Sequence, residues 1–170
     1  NEELGMGKEG LKTVLPFLID LAQNNNRSWF QENRERYDIA RQAILDLTAT
    51  LIAEIGQFDP QVRYLEPKEC LFRIYRDTRF SLDKSPYKLH FGIYIAMNGG
   101  HRSLFSGYYI HLQPGNCMLS GGIWCADNQG IKRFRSYIDT EYEELFDIMA
   151  QPDFKHYFGD HLTCFESDRR

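Results

Sequence analysis

The densest set of groups able to do chemistry lies between Arg73 and Lys88, in the run Arg73-Ile-Tyr-Arg76-Asp77-Thr-Arg79-Phe80-Ser-Leu-Asp83-Lys84-Ser-Pro86-Tyr87-Lys88. Arg73, Arg76 and Arg79 are spaced by three, and Lys84 and Lys88 follow. So many cations cannot all be buried unpaired. Asp77 and Asp83 can pair with two of them, which leaves positive charge over. A guanidinium fork binds carboxylate or phosphate through two parallel hydrogen bonds, so the natural complement is a small anion. The candidate ligand-binding residues are therefore Arg73, Arg76, Asp77, Arg79, Lys84 and Lys88, with Tyr87 and Trp124 as aromatic walls. The opposing reading is an Arg/Asp network that pins a long loop, and the residues alone leave both open.

Other chemistry is weaker. Alternation along the β-type runs collects Arg73, Tyr75, His90, Tyr94, Tyr109 and His111 on one sheet face, a set that suits a lined groove better than an ordinary solvated face. His111 is the candidate proton-handling residue, although no partner acid can be assigned to it. His90 and His111 have no carboxylate or thiolate at a spacing that completes a metal site, so none is expected. Cys117 or Cys125 could be drawn beside His111 as a nucleophile pair, but a buried inert thiol is commoner. No phosphate loop or dinucleotide fingerprint occurs, and no cofactor is expected. Gly121-Gly122 falls inside a strand pattern, where it marks a bulge or a close approach.

These groups need elements to hold them. Thr13 reads as the N-cap of a first helix, with Pro16 in its first turn. Ser28 to Gln31 reads as a capping box opening a long helix from Trp29 to about Ile55. Its stripe is Phe30, Asn33, Tyr37, Ala40, Ile44, Leu47, Leu51 and Ile55. Strands are predicted at Cys70–Arg76, His90–Met97, Tyr108–Gln113 and about Cys117–Trp124, separated by Asn98-Gly99-Gly100 and Pro114-Gly115-Asn116 turns. Asp127 or Asn128 caps a further helix, and Thr140 caps another that Pro152 ends. The expected fold is α+β: a largely antiparallel sheet of four or more strands, with the long N-terminal helix and the C-terminal helices on its apolar face. One domain over 1–170 is expected, with 159–170 frayed or incomplete.

Composition narrows the function classes. The 170 residues carry a net charge of −4 and a pI near 5.7, so no global field draws nucleic acid or anionic membrane, and nucleic acid is an unlikely partner. Between Leu71 and Arg102, however, six basic residues face two acidic ones, a local +4. Four scattered cysteines without a CxxC pair suit a reduced, cytoplasmic setting. Asn1 to Lys8 shows no signal-peptide pattern, and no stretch approaches the roughly 18 apolar residues of a membrane span. The oligomeric state is not legible.

The run from Arg73 to Tyr87 fits the signature R-x-x-R-D-x-R-F-x-x-[DN]-K-x-x-Y at every specified position. On these residues the chain resembles the bacterial domain of unknown function family 2461. Asn25-Asn26-Arg27-Ser28-Trp29-Phe30 with Asn33 and Tyr37, Tyr108-Tyr109-Ile110-His111 to Pro114-Gly115, and Gly121-Gly122-Ile123-Trp124 carry the resemblance further, to about Phe158. It implies a fold and a motif but no substrate, because the family has no established activity. Members usually run somewhat longer, with a Leu-Lys and Pro-Lys-Gly-like stretch after the last helices. His161 to Arg170 lacks it, and if such an element covers the groove in the family, part of the site is expected to be lacking here. Two readings stand: a domain binding a small phosphate or carboxylate ligand, whether or not an enzyme, and a non-enzymatic interaction or scaffold protein with a structural Arg/Asp motif. If Arg73 and Arg76 leave opposite faces of their strand, Arg73 joins the sheet face while Arg76, Arg79 and Lys84 belong to the loop.

Overall fold

The computed structural model describes residues 2–124 and 126–160, with backbone alone over 2–8. It comprises two compact units, Asn1–Cys125 and Ala126–Arg170. The first holds helices α1 (Glu2–Gln23), α2 (Arg27–Glu32), α3 (Arg34–Phe58) and α4 (Pro67–Cys70), and strands β1 (Phe91–Ile95), β2 (Gly107–Leu112) and β3 (Met118–Gly122). Its fold is α+β.

The helices differ from expectation at their starts. Pro16 lies inside α1, not in its first turn, and Thr13 is an interior residue whose hydroxyl donates to the Gly10 carbonyl at 2.6 Å. Packing overrides propensity here: a Cβ on Gly10 would sit 2.9 Å from the Ala43 methyl of α3, so a glycine that weakens an isolated helix allows close approach of two. Val14, Phe17, Leu18 and Leu21 form the buried face of α1. The expected Trp29–Ile55 helix is two helices. Asn26, not Ser28, is the N-cap, accepting from the Trp29 amide at 3.0 Å. Asn33 breaks the run, its amide donating to the Trp29 carbonyl at 2.9 Å. The polar member of the stripe therefore marks the junction. Beyond it, α3 buries Tyr37, Ala40, Ala43, Ile44, Thr48, Ile52 and Ile55. Leu47 and Leu51 are only partly buried, because 3.6 residues per turn carries the stripe off a strict seven-residue repeat. Thr48 is accommodated by a hydroxyl bond to the Ile44 carbonyl at 2.7 Å.

Among the described residues the sheet has three strands, antiparallel in the order β1-β2-β3, not four or more. The correction falls on Cys70–Arg76. Leu71 makes an isolated bridge to Ile93, and Tyr75 makes another to Tyr87. The backbone thus divides its hydrogen bonds between two partners and never builds a ladder on either. The other three strand predictions hold within a few residues. Phe91, Ile93 and Ile95 of β1 lie opposite Leu112, Ile110 and Tyr108 of β2, and this face joins the core formed with α1, α2 and α3. β1 is buried along its whole length, because its second face is covered too. Tyr94 is 1% exposed. Its hydroxyl lies 2.7 Å from both the Phe105 and Gly122 carbonyls and accepts from the Trp124 amide at 3.3 Å.

The second unit holds α5 (Asn128–Thr140), α6 (Tyr142–Ala150) and α7 (Pro152–Phe158). Asp127 caps α5, accepting from the Gly130 amide at 2.6 Å. Thr140 is the last residue of α5 and not a cap; its hydroxyl donates back to the Ser136 carbonyl at 3.1 Å. Pro152 both follows the end of α6 and opens α7, where its missing donor costs nothing. These C-terminal helices form the unit by themselves, and none of their residues is buried. No helix of the described residues is long and apolar enough to cross a membrane.

Candidate functional site

The segment from Leu71 to Lys88 runs from α4 toward β1 and folds back on itself. The Phe72 amide donates to the Gly92 carbonyl at 3.0 Å, the Lys88 amide to Ile74 at 2.8 Å and the Arg76 amide to Pro86 at 2.9 Å. Residues 74–76 and 86–88 therefore make a short two-stranded ribbon beside the sheet, closed by the loop 77–85. Asn25, just before α2, pins the ribbon with both ends of its amide: Nδ2 donates to the Tyr87 carbonyl at 2.9 Å, and Oδ1 accepts from the Tyr87 amide at 3.1 Å. Tyr87 is 2% exposed and stacks on Phe30 at 4.0 Å between centroids, so it anchors the ribbon in the core.

Most of the motif's charges engage one another within the loop. Arg76 Nη1 donates to Asp83 Oδ2 at 2.5 Å and to the Ser85 carbonyl at 3.1 Å, and Nη2 reaches Ser81 Oγ at 3.4 Å. Asp83 also accepts from the amide and hydroxyl of Ser85. Those Ser85 bonds, then the Arg76 fork, bring its carboxyl down to about 2. Arg79 grips Asp77 with Nε at 3.0 Å and Nη2 at 2.6 Å, which likewise lowers Asp77 to about 2. Lys84 Nζ donates to the Thr78 carbonyl at 2.9 Å. The Arg79–Asp77 pair is well exposed, whereas Arg76 is largely covered. Exposed pairs contribute little and covered guanidinium networks more. Arg79→Ala is accordingly expected to leave the thermal midpoint almost unchanged, while Arg76→Ala lowers it measurably in the same melting experiment. Equal midpoints for the two variants would show that the Arg76 fork does not hold the loop.

Arg73 and Lys88, at the two ends of the motif, stand apart from this network. With Arg41 of α3, and His101 and Arg102 of the 3-10 turn Gly100–Arg102, they line a cavity of ≈ 480 Å³ whose floor includes Tyr37, Leu71, Phe72 and Ile74. No aspartate or glutamate among the described residues lines it. Among the described residues, none of Arg41, Arg73, Lys88 and Arg102 has an ion-pair partner, while Arg34, Arg36, Arg76 and Arg79 each have one. The Lys88 ammonium sits 5.5 Å over the Phe72 ring; burial, and then the Arg73 charge, pull its pKa below the ordinary 10.5. His101 Nδ1 bonds the Glu69 carbonyl. Since a carbonyl only accepts, Nδ1 carries the hydrogen and Nε2 is left over. Arg76 and Lys84 line a different and larger cleft of ≈ 780 Å³ with Asn25, Arg27, Tyr75 and Tyr87. Arg73 is thus in one hollow, and Arg76 and Lys84 are in another.

The sheet face is a hydrogen-bonded aromatic cluster. His111 lies between its strand neighbours, with Nδ1 2.9 Å from the Tyr109 hydroxyl and Nε2 2.9 Å from Gln113 Oε1. Both ring nitrogens are engaged. His90 stacks on it with centroids 4.3 Å apart; burial, then the nearby His111 and Lys88, lower the His90 pKa to about 4. Trp124 is half-exposed and stacks on Tyr109 at 5.5 Å, against the edge of Phe72. Cys117 donates to the Gln113 carbonyl at 3.2 Å. Burial raises the Cys70 thiol to about 12, and Cys125 lies outside the described residues. No group of three or more His, Cys, Asp or Glu placed to hold a metal occurs among the described residues.

Sequence reasoning missed Arg41, His101 and Arg102 as partners of Arg73. Arg41 carried a faint signal, lying one helical turn beyond Tyr37. Arg102 carried only its charge.

The site and fold together are those of an α+β protein with a cation-lined cavity beside an antiparallel sheet. The chain belongs to the DUF2461 family of conserved hypothetical proteins, whose family model matches residues 13–169. No curated protein matches the chain, and no solved structure does.

Proposed function

We propose that this protein binds a small anionic ligand, with phosphate or carboxylate as the recognised group, in the cavity lined by Arg41, Arg73, Lys88 and Arg102. The observation that carries the reading is four cations on one cavity with no carboxylate among the described residues that line it. Bringing like charges together is unfavourable unless an opposite charge joins them, and a guanidinium fork matches a pair of oxygens on either anion. The residues Arg76, Asp83 and Lys84 support the site by holding the ribbon that carries Lys88 and adjoins Arg73. Trp124 and the His111 cluster flank Phe72 at its edge.

Titrating inorganic phosphate by calorimetry, with arginine side-chain NMR signals followed in parallel, tests this. Saturable binding is expected, abolished in the Arg73→Ala/Lys88→Ala double variant and retained in Arg79→Ala. Binding equally strong in the double variant would place the anion elsewhere. The pH dependence has a definite sign. Lys88 contributes its charge fully below its own pKa and loses it as pH rises through that pKa, which lies below 10.5. Affinity should therefore weaken on the alkaline side earlier than an ordinary lysine would allow.

A second reading draws on the paired loop charges. Arg76 with Asp83 and Arg79 with Asp77 are self-sufficient ion pairs, as a non-enzymatic interaction or scaffold protein with a structural motif would have. Absence of phosphate binding together with a destabilised Arg76→Ala variant would favour it.

A further inference from the structure

The cavity's charge and size say more about its ligand. Building on the anion-binding reading above, we infer that the ligand is an organic molecule bearing two neighbouring anionic groups, a diphosphate or equivalent, and not a single phosphate or carboxylate. The first argument is charge. Arg41, Arg73, Lys88 and Arg102 line the cavity together with no acidic residue among them, a formal +4. One phosphate group carries about −1.5 to −2 at pH 7. A single such group leaves about half of the lining charge uncompensated; two adjacent groups come close to matching it.

The second argument is placement. The cations come from three separate parts of the chain: α3, the ribbon and the 3-10 turn. Arg73 and Lys88 are near enough for the Arg73 charge to lower the Lys88 pKa. Cations brought from different elements suit an elongated anion that touches several of them better than a compact one held by a single fork. The third argument is size. At ≈ 480 Å³ the cavity falls within the range of about 300–1,000 Å³ that holds small organic ligands. Its floor is apolar and aromatic, with the Phe72 ring 5.5 Å from the Lys88 ammonium and 5.4 Å from the Trp124 ring. That floor gives the uncharged body of the ligand a surface to lie on.

The test compares inorganic phosphate and inorganic pyrophosphate by calorimetry on the full chain, at one pH and ionic strength. Pyrophosphate is expected to bind at least about tenfold more tightly. Arg102→Gln and Arg41→Gln should each reduce pyrophosphate affinity by more than they reduce phosphate affinity, narrowing the ratio, while Arg79→Ala keeps it. Arg102 is exposed and Arg41 half-buried, so both variants should fold, and their melting midpoints verify that. Equal affinity for the two anions overturns the two-group inference and leaves the anion reading standing. Failure of both anions to bind overturns both readings. A ratio unaffected by Arg41→Gln and Arg102→Gln overturns the assignment of the second group to this cavity.

Discussion

Replacing Phe30 by alanine is expected to lower the unfolding free energy by about 3–5 kcal/mol, the range for deleting a fully buried aromatic ring. Phe30 has no exposed surface. Its ring stacks on Tyr87 at 4.0 Å and meets Tyr37 at 5.0 Å, Phe17 at 6.3 Å and Tyr75 at 6.3 Å. It therefore joins α1, α2 and α3 to the ribbon, and no neighbour can fill its volume without loosening another of those contacts. Phe30→Leu retains most of the volume and should cost far less. Denaturant titration of both variants measures the difference, and a loss for Phe30→Ala below about 1 kcal/mol would mean the aromatic cluster is not what holds the ribbon down. Because Tyr87 directly precedes Lys88 on that ribbon, the alanine variant should also bind phosphate more weakly.

The second large effect belongs to Gly100. Its φ of +54° is in the left-handed region, and a Cβ there would lie 2.5 Å from the Glu69 carbonyl oxygen and 3.0 Å from Cys70 Cα. Backbone cannot yield as a flexible side chain can. Gly100→Ala thus combines overpacking with left-handed strain and should cost about 2–4 kcal/mol. Gly99 provides the control. Its φ is +108°, but a Cβ there meets nothing within 4 Å, so Gly99→Ala carries strain without the clash and should be the milder change. Thermal unfolding of the two variants separates the contributions; equal losses would show that the contact with α4 relaxes freely. Gly100 also starts the turn that presents His101 and Arg102, so the clash should weaken anion binding as well as stability.

What was legible in the chain were the patterns whose period is set within one element. The alternations around Ile93 and Ile110 marked real strands, and the stripe through Tyr37 and Ile44 marked a real helix. The errors came where a partner distant in sequence decided the outcome. The alternation of Phe72 and Ile74 with Arg73 and Tyr75 is genuine, yet a strand needs a ladder, and Leu71 and Tyr75 bond to different segments. Pro16 pointed to a helix start, but Gly10 packed on Ala43 carries the helix back past it. The candidate site divides in the same way. Arg73 and Lys88 were visible as cations, and the Asp77 and Asp83 pairings were foreseen as one alternative. That Arg41 and Arg102, distant from each other in sequence, meet Arg73 at one cavity depends on the packing of α3 and on the turn at Gly100, which no local pattern encodes.

The Tyr94 hydroxyl has a bearing on how this unit comes apart. It offers one proton to two carbonyls, at Phe105 and Gly122, and receives the Trp124 amide. A single oxygen thus ties the central segment of β1 to the connection before β2 and to the exit from β3. Opening either the connection before β2 or the exit from β3 breaks a hydrogen bond to the hydroxyl of a buried β1 residue, and such a bond contributes about 0.5–1.5 kcal/mol. The far edge of the sheet, although β3 itself is exposed, is coupled to its most deeply covered strand. Fraying of this edge therefore carries the cost of breaking its bonds to β1, and Trp124, beside the cavity-lining Phe72, is tied to β1 through the same hydroxyl.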